Sequence, residues 1–326
     1  MKKIFITGAG GYVGSKLVPT LLEKNYLVTA FDLFIYGKDV LDNHKNLKII
    51  EGDIRNENFL REFIPGHDAV IHLACISNDP SFELNPDLGK SINLDAFRPL
   101  VEISKKNNVK RFIYASSSSV YGLKKEKNIT EDVSLEPLTD YSKFKADCEK
   151  ILKPYNSEQF STVTLRPATV CGYARRQRLD VVVNILTNLA YNKREISIFG
   201  GKQLRPNIHI KDMVRSYLMI LEKKNSEVSG EIFNVGYDNL SIEDIALKVK
   251  KAIGPDVKLI TTPTDDNRSY HISSEKIKNK LGFVPVYNVD DAIKDLKDAF
   301  EKKLLPNSLD DDFYFNIKRM EKIKLK

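Results

Sequence analysis

Along this 326-residue chain, short apolar runs alternate with longer stretches whose apolar positions recur every three or four residues. The short runs fall at 3–7, 27–32, 47–51, 69–73, 111–116, 162–166 and 231–235. Several are almost continuously apolar and β-branched, as strands buried on both faces of a parallel sheet must be. Helical periodicity covers 14–24, 93–107 and 142–152 between them. This alternation predicts an α/β fold, an open sheet of seven strands with flanking helices. After Arg166 the pattern loosens into loops over 168–200 with a helix at 181–192, and a helix over 210–222 leads back to the last strand. Beyond Gly236 comes a helix over 241–253, where Ser241 and Asp244 have the spacing of a capped start. The expected division is a sheet domain over 1–170, to which 205–235 returns, and a smaller C-terminal cap made of 171–204 and 236–326.

The 42% apolar content is enough for one large core or two modest ones. No run reaches 18 apolar residues, so no membrane span is expected. The opening MKKIFITGAGG breaks its apolar stretch at Thr7-Gly8, too soon for the apolar region of a signal peptide. Cys75, Cys148 and Cys171 are odd in number, far apart and in no CxxC pair. They read as thiols in a reducing, cytoplasmic setting, with neither a disulfide frame nor a metal site. The net charge of +7 is spread along the chain, Trp is absent, and the basic patches lack interleaved aromatics. A nucleic-acid partner is therefore not expected, while a solvated lysine-rich surface and an anionic small-molecule substrate both fit the charge.

The stretch FITGAGGYVGSKL places Gly8, Gly11 and Gly14 between the first strand and the first helix. Such glycines allow a tight turn, close approach of a pyrophosphate and close helix–strand packing. The helix N-terminus, over Gly11, Tyr12, Val13 and Gly14, offers backbone N–H groups and a positive dipole end to phosphates. Asp32 ends the second strand, where a carboxylate accepts both ribose hydroxyls and repels a 2′-phosphate. Asp53 and Ile54 follow the third strand, where an adenine would rest. These positions predict a dinucleotide-binding domain that takes NAD rather than NADP.

After the fifth strand comes the serine run Ser116–Ser119, and further on Tyr141 and Lys145 stand one helical turn apart on one face. The ammonium can lower the pKa of the phenol and reach a nicotinamide ribose, and the phenolate can then take a proton from a substrate alcohol. A serine at the end of the strand orients the same alcohol.

Together, TGxxGxxG at 7–14, His72-Leu73-Ala74, the Ser117/Val120-Tyr121-Gly122 block and Tyr141xxxLys145 resemble the extended short-chain dehydrogenase/reductases. Within that family they are most similar to the NAD-dependent nucleotide-sugar epimerases and dehydratases. The likeness extends through Arg166-Pro167, the segment 200–212, and Arg268 with Leu281-Gly282-Phe283. It implies a Rossmann, doubly wound and mostly parallel seven-stranded sheet with a substrate-binding cap. It also implies Ser117, Tyr141 and Lys145 as catalytic residues and Leu73 and Ala74 as cofactor contacts. Ser117, Ser118, Asn184, Arg205 and Arg268 become the substrate contacts, the two arginines suiting a diphosphate through their planar forks. The run Arg175-Arg176-Gln177-Arg178 either faces the nucleotide or forms a solvated loop. A homodimer is implied as well, built through a four-helix contact for which 93–107 and 142–152 are the candidate helices.

One departure narrows the reaction. Sugar-nucleotide 4,6-dehydratases follow the catalytic Ser or Thr with Asp-Glu, an acid/base pair for eliminating water. Here those positions hold Ser118 and Ser119, whose hydroxyls cannot take that role at neutral pH. The expected activity is oxidation at C4 of a nucleotide-diphosphate sugar, with return of the hydride in a 4-epimerase. The alternatives are a net 4-dehydrogenase or 4-keto-sugar reductase acting on a hexose or heptose, and a non-catalytic relative that senses NAD.

Overall fold

The computed structural model describes residues 2–124, 126, 128–264, 269 and 271–325. The chain begins with β1 (Lys3–Thr7), α1 (Gly14–Glu23), β2 (Leu27–Asp32), β3 (Leu47–Glu51), α2 (Glu57–Phe63) and β4 (Ala69–His72). Next come α3 (Asp79–Glu83), α4 (Pro86–Lys90), a π-helical turn at Ser91–Asp95, α5 (Phe97–Lys106) and β5 (Arg111–Ala115). The middle holds α6 (Asp140–Leu152), β6 (Ser161–Pro167), β7 (Thr169–Cys171), α7 (Val182–Lys193), β8 (Glu195–Phe199), β9 (Leu204–His209), α8 (Ile210–Glu222) and α9 (Asn225–Val228). The last part comprises β10 (Ile232–Val235), β11 (Asp238–Ser241), α10 (Ile242–Ile253), β12 (Lys258–Thr262), α11 (Glu275–Leu281), α12 (Val289–Glu301) and α13 (Asn316–Ile323).

Seven strands form one sheet in the order β10-β6-β5-β4-β1-β2-β3, and every neighbouring pair is parallel. The apolar runs are continuous because successive side chains serve opposite faces. Along β1, Ile4 and Ile6 enter one core cluster while Phe5 enters the other with Phe31, Phe112 and Tyr114. Strand order reverses between β1 and β4, so their carboxyl ends open a crevice at the switch point.

The expected helix over 93–107 begins differently. Pro99 lacks the N–H that a regular helix would bond to Asp95, and the chain instead makes the π-helical turn before α5. That turn points Asn93 inward, where its amide accepts from the Ile76 N–H at 2.8 Å and donates to the Ile76 carbonyl at 2.9 Å. The loop after β4 is thereby fixed.

The second unit comprises a three-stranded sheet in the order β11-β9-β7, the parallel pair β8–β12, and helices α7, α10 and α12. The expected division differs here in two places. Strand β9 pairs with β7 and β11 rather than rejoining the large sheet, so the return begins at α8. Residues after 236 do not all build the cap, since Ile277, Leu281 and Phe283 pack in the first core of the large sheet. Met320 of α13 packs in its second core. Among the described residues, no helix is long and apolar enough to cross a membrane.

Candidate functional site

A cleft of about 360 Å³ lies over the switch point, a size suited to a bound small molecule. Its walls come from the loops after β1, β2, β3, β4, β5 and β6, joined by Tyr141 and Lys145 of α6. All twelve predicted cofactor positions line it: Gly8, Gly11, Tyr12, Val13, Gly14, Asp32, Asp53, Ile54, Leu73, Ala74, Tyr141 and Lys145.

The phosphate-facing end fits a dinucleotide on its own geometry. Gly8 has φ +74°, and a Cβ there would collide with the backbone of Leu73 and Ala74. A Cβ on Gly14 would strike the carbonyls of Gly8 and Ala9, so the helix can start this close to β1 only with glycine. No side chain among the described residues caps α1; its Ser15 N–H donates to the Gly11 carbonyl and its Leu17 N–H to that of Val13, so an anion would meet the N–H groups ahead of them in the glycine turn. Asp32 accepts from the Gly10 N–H at 3.0 Å and the Phe34 N–H at 2.7 Å, which fixes its carboxylate in the cleft. Burial raises its pKa, against the pull of those N–H groups and Arg176. Burial would likewise raise Asp53, but the guanidinium of Arg55 outweighs it and holds this carboxyl below its ordinary value.

The catalytic candidates converge on the same cleft. Thr139 caps α6 in a reciprocal box with Ser142, so the helix starts at Asp140, earlier than its periodicity indicated. Tyr141 and Lys145 stand on its inner face, and the Lys145 ammonium lies 5.8 Å from the Tyr141 ring centroid. That ammonium donates to the Ala115 carbonyl at 2.7 Å. Ser117 caps the short turn after β5, accepting from the Ser119 N–H, and its hydroxyl lies 2.8 Å from that of Ser119. The expected lowering of the phenol pKa is not what the structure gives. Burial raises Tyr141 above its usual value, while Arg178 and a hydrogen bond with Ser117 pull it down.

A second cavity of about 240 Å³ adjoins this cleft, and Asn78, Asp79, Ser119 and Thr169 line both. Arg205 of β9 lines the second cavity, whereas Ser117 and the buried Ser118 line the first. Arg268 lies outside the described residues. Asn184 corrects its prediction. It is wholly buried, with its carbonyl accepting from the Gly172 N–H and its amide donating to the Tyr12 hydroxyl and the Arg178 carbonyl. Both amide protons are spent on folding the 172–178 segment against Tyr12, so the side chain does not face a phosphate.

The arginine run divides. Arg175 is exposed beside Asp42, and Gln177 bonds within its own loop, but Arg176 and Arg178 line the cleft. Asp79, Asn78 and Asn316 were missed by sequence reasoning. Asp79 accepts the Thr139 hydroxyl at 2.5 Å, and Asn78 holds φ 79° and ψ 157°, a backbone region that normally requires glycine. This strained residue sits where the two cavities meet, and no sequence periodicity marks it.

Comparison with known proteins agrees with this geometry. The UDP-glucose 4-epimerase of Lactobacillus helveticus is 27% identical over 316 residues, spanning 89% of this chain and 94% of that protein. Human dTDP-D-glucose 4,6-dehydratase is also 27% identical over 316 residues, spanning 90% of this chain and 87% of that protein. The structure of Bacillus cereus UDP-glucuronic acid 4-epimerase, in complex with UDP-glucuronic acid and NAD, superposes with a TM-score of 0.83 at 27% identity. It covers 92% of this chain and 99% of that one. The sequence model of the NAD dependent epimerase/dehydratase family matches residues 4–236, a stretch that includes the strands of the large sheet and most of the cleft lining. With the glycine turn, Asp32 and the Ser–Tyr–Lys group gathered in one cleft, the chain belongs to that family and uses NAD as its cofactor.

Proposed function

We propose that this enzyme is a nucleotide-sugar 4-epimerase that works through a transient 4-keto sugar. The observation that carries the reading is the wall after β5, where Ser117 stands against Tyr141 while Ser118 and Ser119 replace the carboxyl pair needed to eliminate water. The sugar would lie where the two cavities meet, beside Ser119 and Thr169, with its diphosphate toward Arg205. Ser117 orients the reacting hydroxyl, and the Tyr141 oxygen takes its proton and later gives it back. Lys145 holds a positive charge under the ring of Tyr141 and reaches toward the cofactor ribose. When bound, NAD supplies a hydride acceptor and, in its oxidised form, a positive charge that favours the phenolate.

The UDP-sugars carried by solved relatives support this substrate class, while the dehydratases at equal identity make the fate of the 4-keto sugar the point to test. Purified protein is incubated with NAD and UDP-, GDP- or dTDP-linked hexoses and heptoses, with absorbance followed at 340 nm and products identified by NMR. A C4 epimer without lasting NADH is the expected result. Accumulating NADH with a 4-keto product would replace the reading with a net dehydrogenase. A 4-keto-6-deoxy product would replace it with a dehydratase and would move the acid/base role to a carboxylate such as Asp79.

A further inference from the structure

The last ordered helix, α13, does not pack on the cap but lies across the cofactor cleft. Asn316, at its first turn and only 7% exposed, gathers four partners from three other parts of the chain. Its side-chain oxygen accepts from the Tyr36 hydroxyl at 2.8 Å and from Arg176 Nη2 at 2.5 Å. Its amide donates to the Ser77 carbonyl at 3.2 Å, and its backbone N–H donates to Asp180 at 3.0 Å. Arg319 adds a hydrogen bond to the Ile35 carbonyl at 2.5 Å. Tyr36 and Ile35 follow β2 and Ser77 follows β4, so one asparagine spans the mouth of the crevice.

Arg178 sits beneath this span. Its Nε donates to Asp180 at 2.6 Å and its Nη1 donates to the Ser77 hydroxyl at 2.6 Å, while Nη2 is buried with no partner among the described residues. Two facts place it between the glycine turn and the catalytic helix. The Arg176 N–H donates to the Ser15 hydroxyl in the first turn of α1, bringing this segment against the anion-binding helix end. The positive charge of Arg178 is felt by both Tyr12 of the glycine turn and Tyr141 of the catalytic helix. Among the described residues, the other cations lining the cleft are Arg176, stacked 3.6 Å over the Tyr36 ring, and Lys145, tied to a carbonyl. A guanidinium whose side chain is 12% exposed, with one nitrogen unpartnered among the described residues and set between the glycine turn and the catalytic tyrosine, matches a dinucleotide pyrophosphate.

We propose that the Arg176–Arg178 segment and α13 form a clasp over the bound dinucleotide, in which Arg178 is a ligand of the pyrophosphate and Asn316 is the pin that governs passage of the cofactor. The proposal rests on NAD as the cofactor and is independent of whether the sugar is epimerised, oxidised or dehydrated. The two roles have different signatures. A ligand stabilises only the bound state, so losing it speeds release and leaves entry unchanged. A pin that holds the mouth shut slows both directions, so losing it speeds both and leaves affinity nearly constant.

The test uses the full chain and NADH, whose fluorescence reports binding in a stopped-flow mixing experiment and release on chase with excess NAD. Arg178→Ala should release NADH about 10–100-fold faster with the association rate unchanged, a loss typical of a hydrogen bond to a charged group. Arg178→Lys should recover part of that loss. Asn316→Ala should speed association and release together by about tenfold, the worth of its shared hydrogen bonds. Tyr36→Phe removes only one hydroxyl donor to Asn316, and it carries the test of the pin if Asn316→Ala fails to fold. It should shift both rates in the same direction by a smaller factor. Unchanged NADH release in Arg178→Ala would overturn the ligand assignment. Rates at wild-type values in Asn316→Ala, or in Tyr36→Phe where the first does not fold, would overturn the pin and leave α13 a structural element only.

Discussion

Tyr141 shows how far a single residue's chemistry depends on its surroundings. Its phenol, neutral at pH 7 as in any ordinary tyrosine, is held in that form more firmly by burial, so the proposed proton transfer needs the positive charges of the occupied cleft. Replacing it with phenylalanine should lower kcat by about 10²–10⁴-fold, the usual worth of a positioned acid/base group. NADH binding, followed by fluorescence, should persist in that variant; full activity would mean that the proton leaves by another route. His72 shows the opposite case, a titratable group kept silent. Burial, reinforced by the Lys145 charge, pushes its pKa down to about 3, and its Nδ1 lies 2.7 Å from the Thr7 hydroxyl. Below pH 6.5 the unfolded ring takes a proton that the folded ring refuses until about pH 3. Stability present above pH 6.5 is therefore lost as pH falls, at about 1.4 kcal/mol per pH unit for this group. Urea unfolding of His72→Asn between pH 4 and 7 should show a shallower decline than the wild type, and equal slopes would show that the ring does not govern the acid limb.

At the scale of elements, α6 is the part whose placement decides the site. Its start is set by Thr139 and its body by Glu149, which accepts from Arg166 of β6 at 2.6 Å and from the Ser116 hydroxyl after β5. Arg166 also donates to the Tyr121 hydroxyl at 2.8 Å, and Tyr121 donates to Asn234 of β10 at 2.6 Å. The Tyr121-Gly122 pair of the sequence motif is thus an anchor rather than a reacting group. Glu149→Ala would leave a buried guanidinium unpaired and should cost about 3–5 kcal/mol, measured by urea denaturation. A loss under ~1 kcal/mol, as for an exposed pair, would show that the network does not hold the helix.

For the whole molecule, the chain passes between its two units several times, and the cofactor cleft collects walls from nearly every passage. The β-strand loops form its floor, the 172–178 segment one side, and α13 its cover, more than 300 positions after the glycine turn in sequence. This explains why the sequence division at residue 236 only half describes the molecule. The C-terminal stretch has an amphipathic helix with no local mark of its destination, and Met320 reaches the second core of the large sheet only after the strands are assembled.

The sequence alone determined the sheet, its seven strands and the glycine turn that opens the cleft, because these rest on local physics. Strands buried on both faces must be apolar throughout, and a phosphate turn must have glycine where a Cβ would collide. The Ser117, Tyr141 and Lys145 group was legible for the same reason, since one helical turn and one strand end fix its spacing. The tertiary structure decided what depends on partners distant in the chain. Asn184 looked like a phosphate contact until burial and three hydrogen bonds absorbed its amide. Arg176 and Arg178 could have been solvent-facing until α13 and Ser77 closed over them. Asn316 carries no motif at all, because a residue that joins loops 36, 77, 176 and 180 acquires its role only when the fold brings them within hydrogen-bond reach.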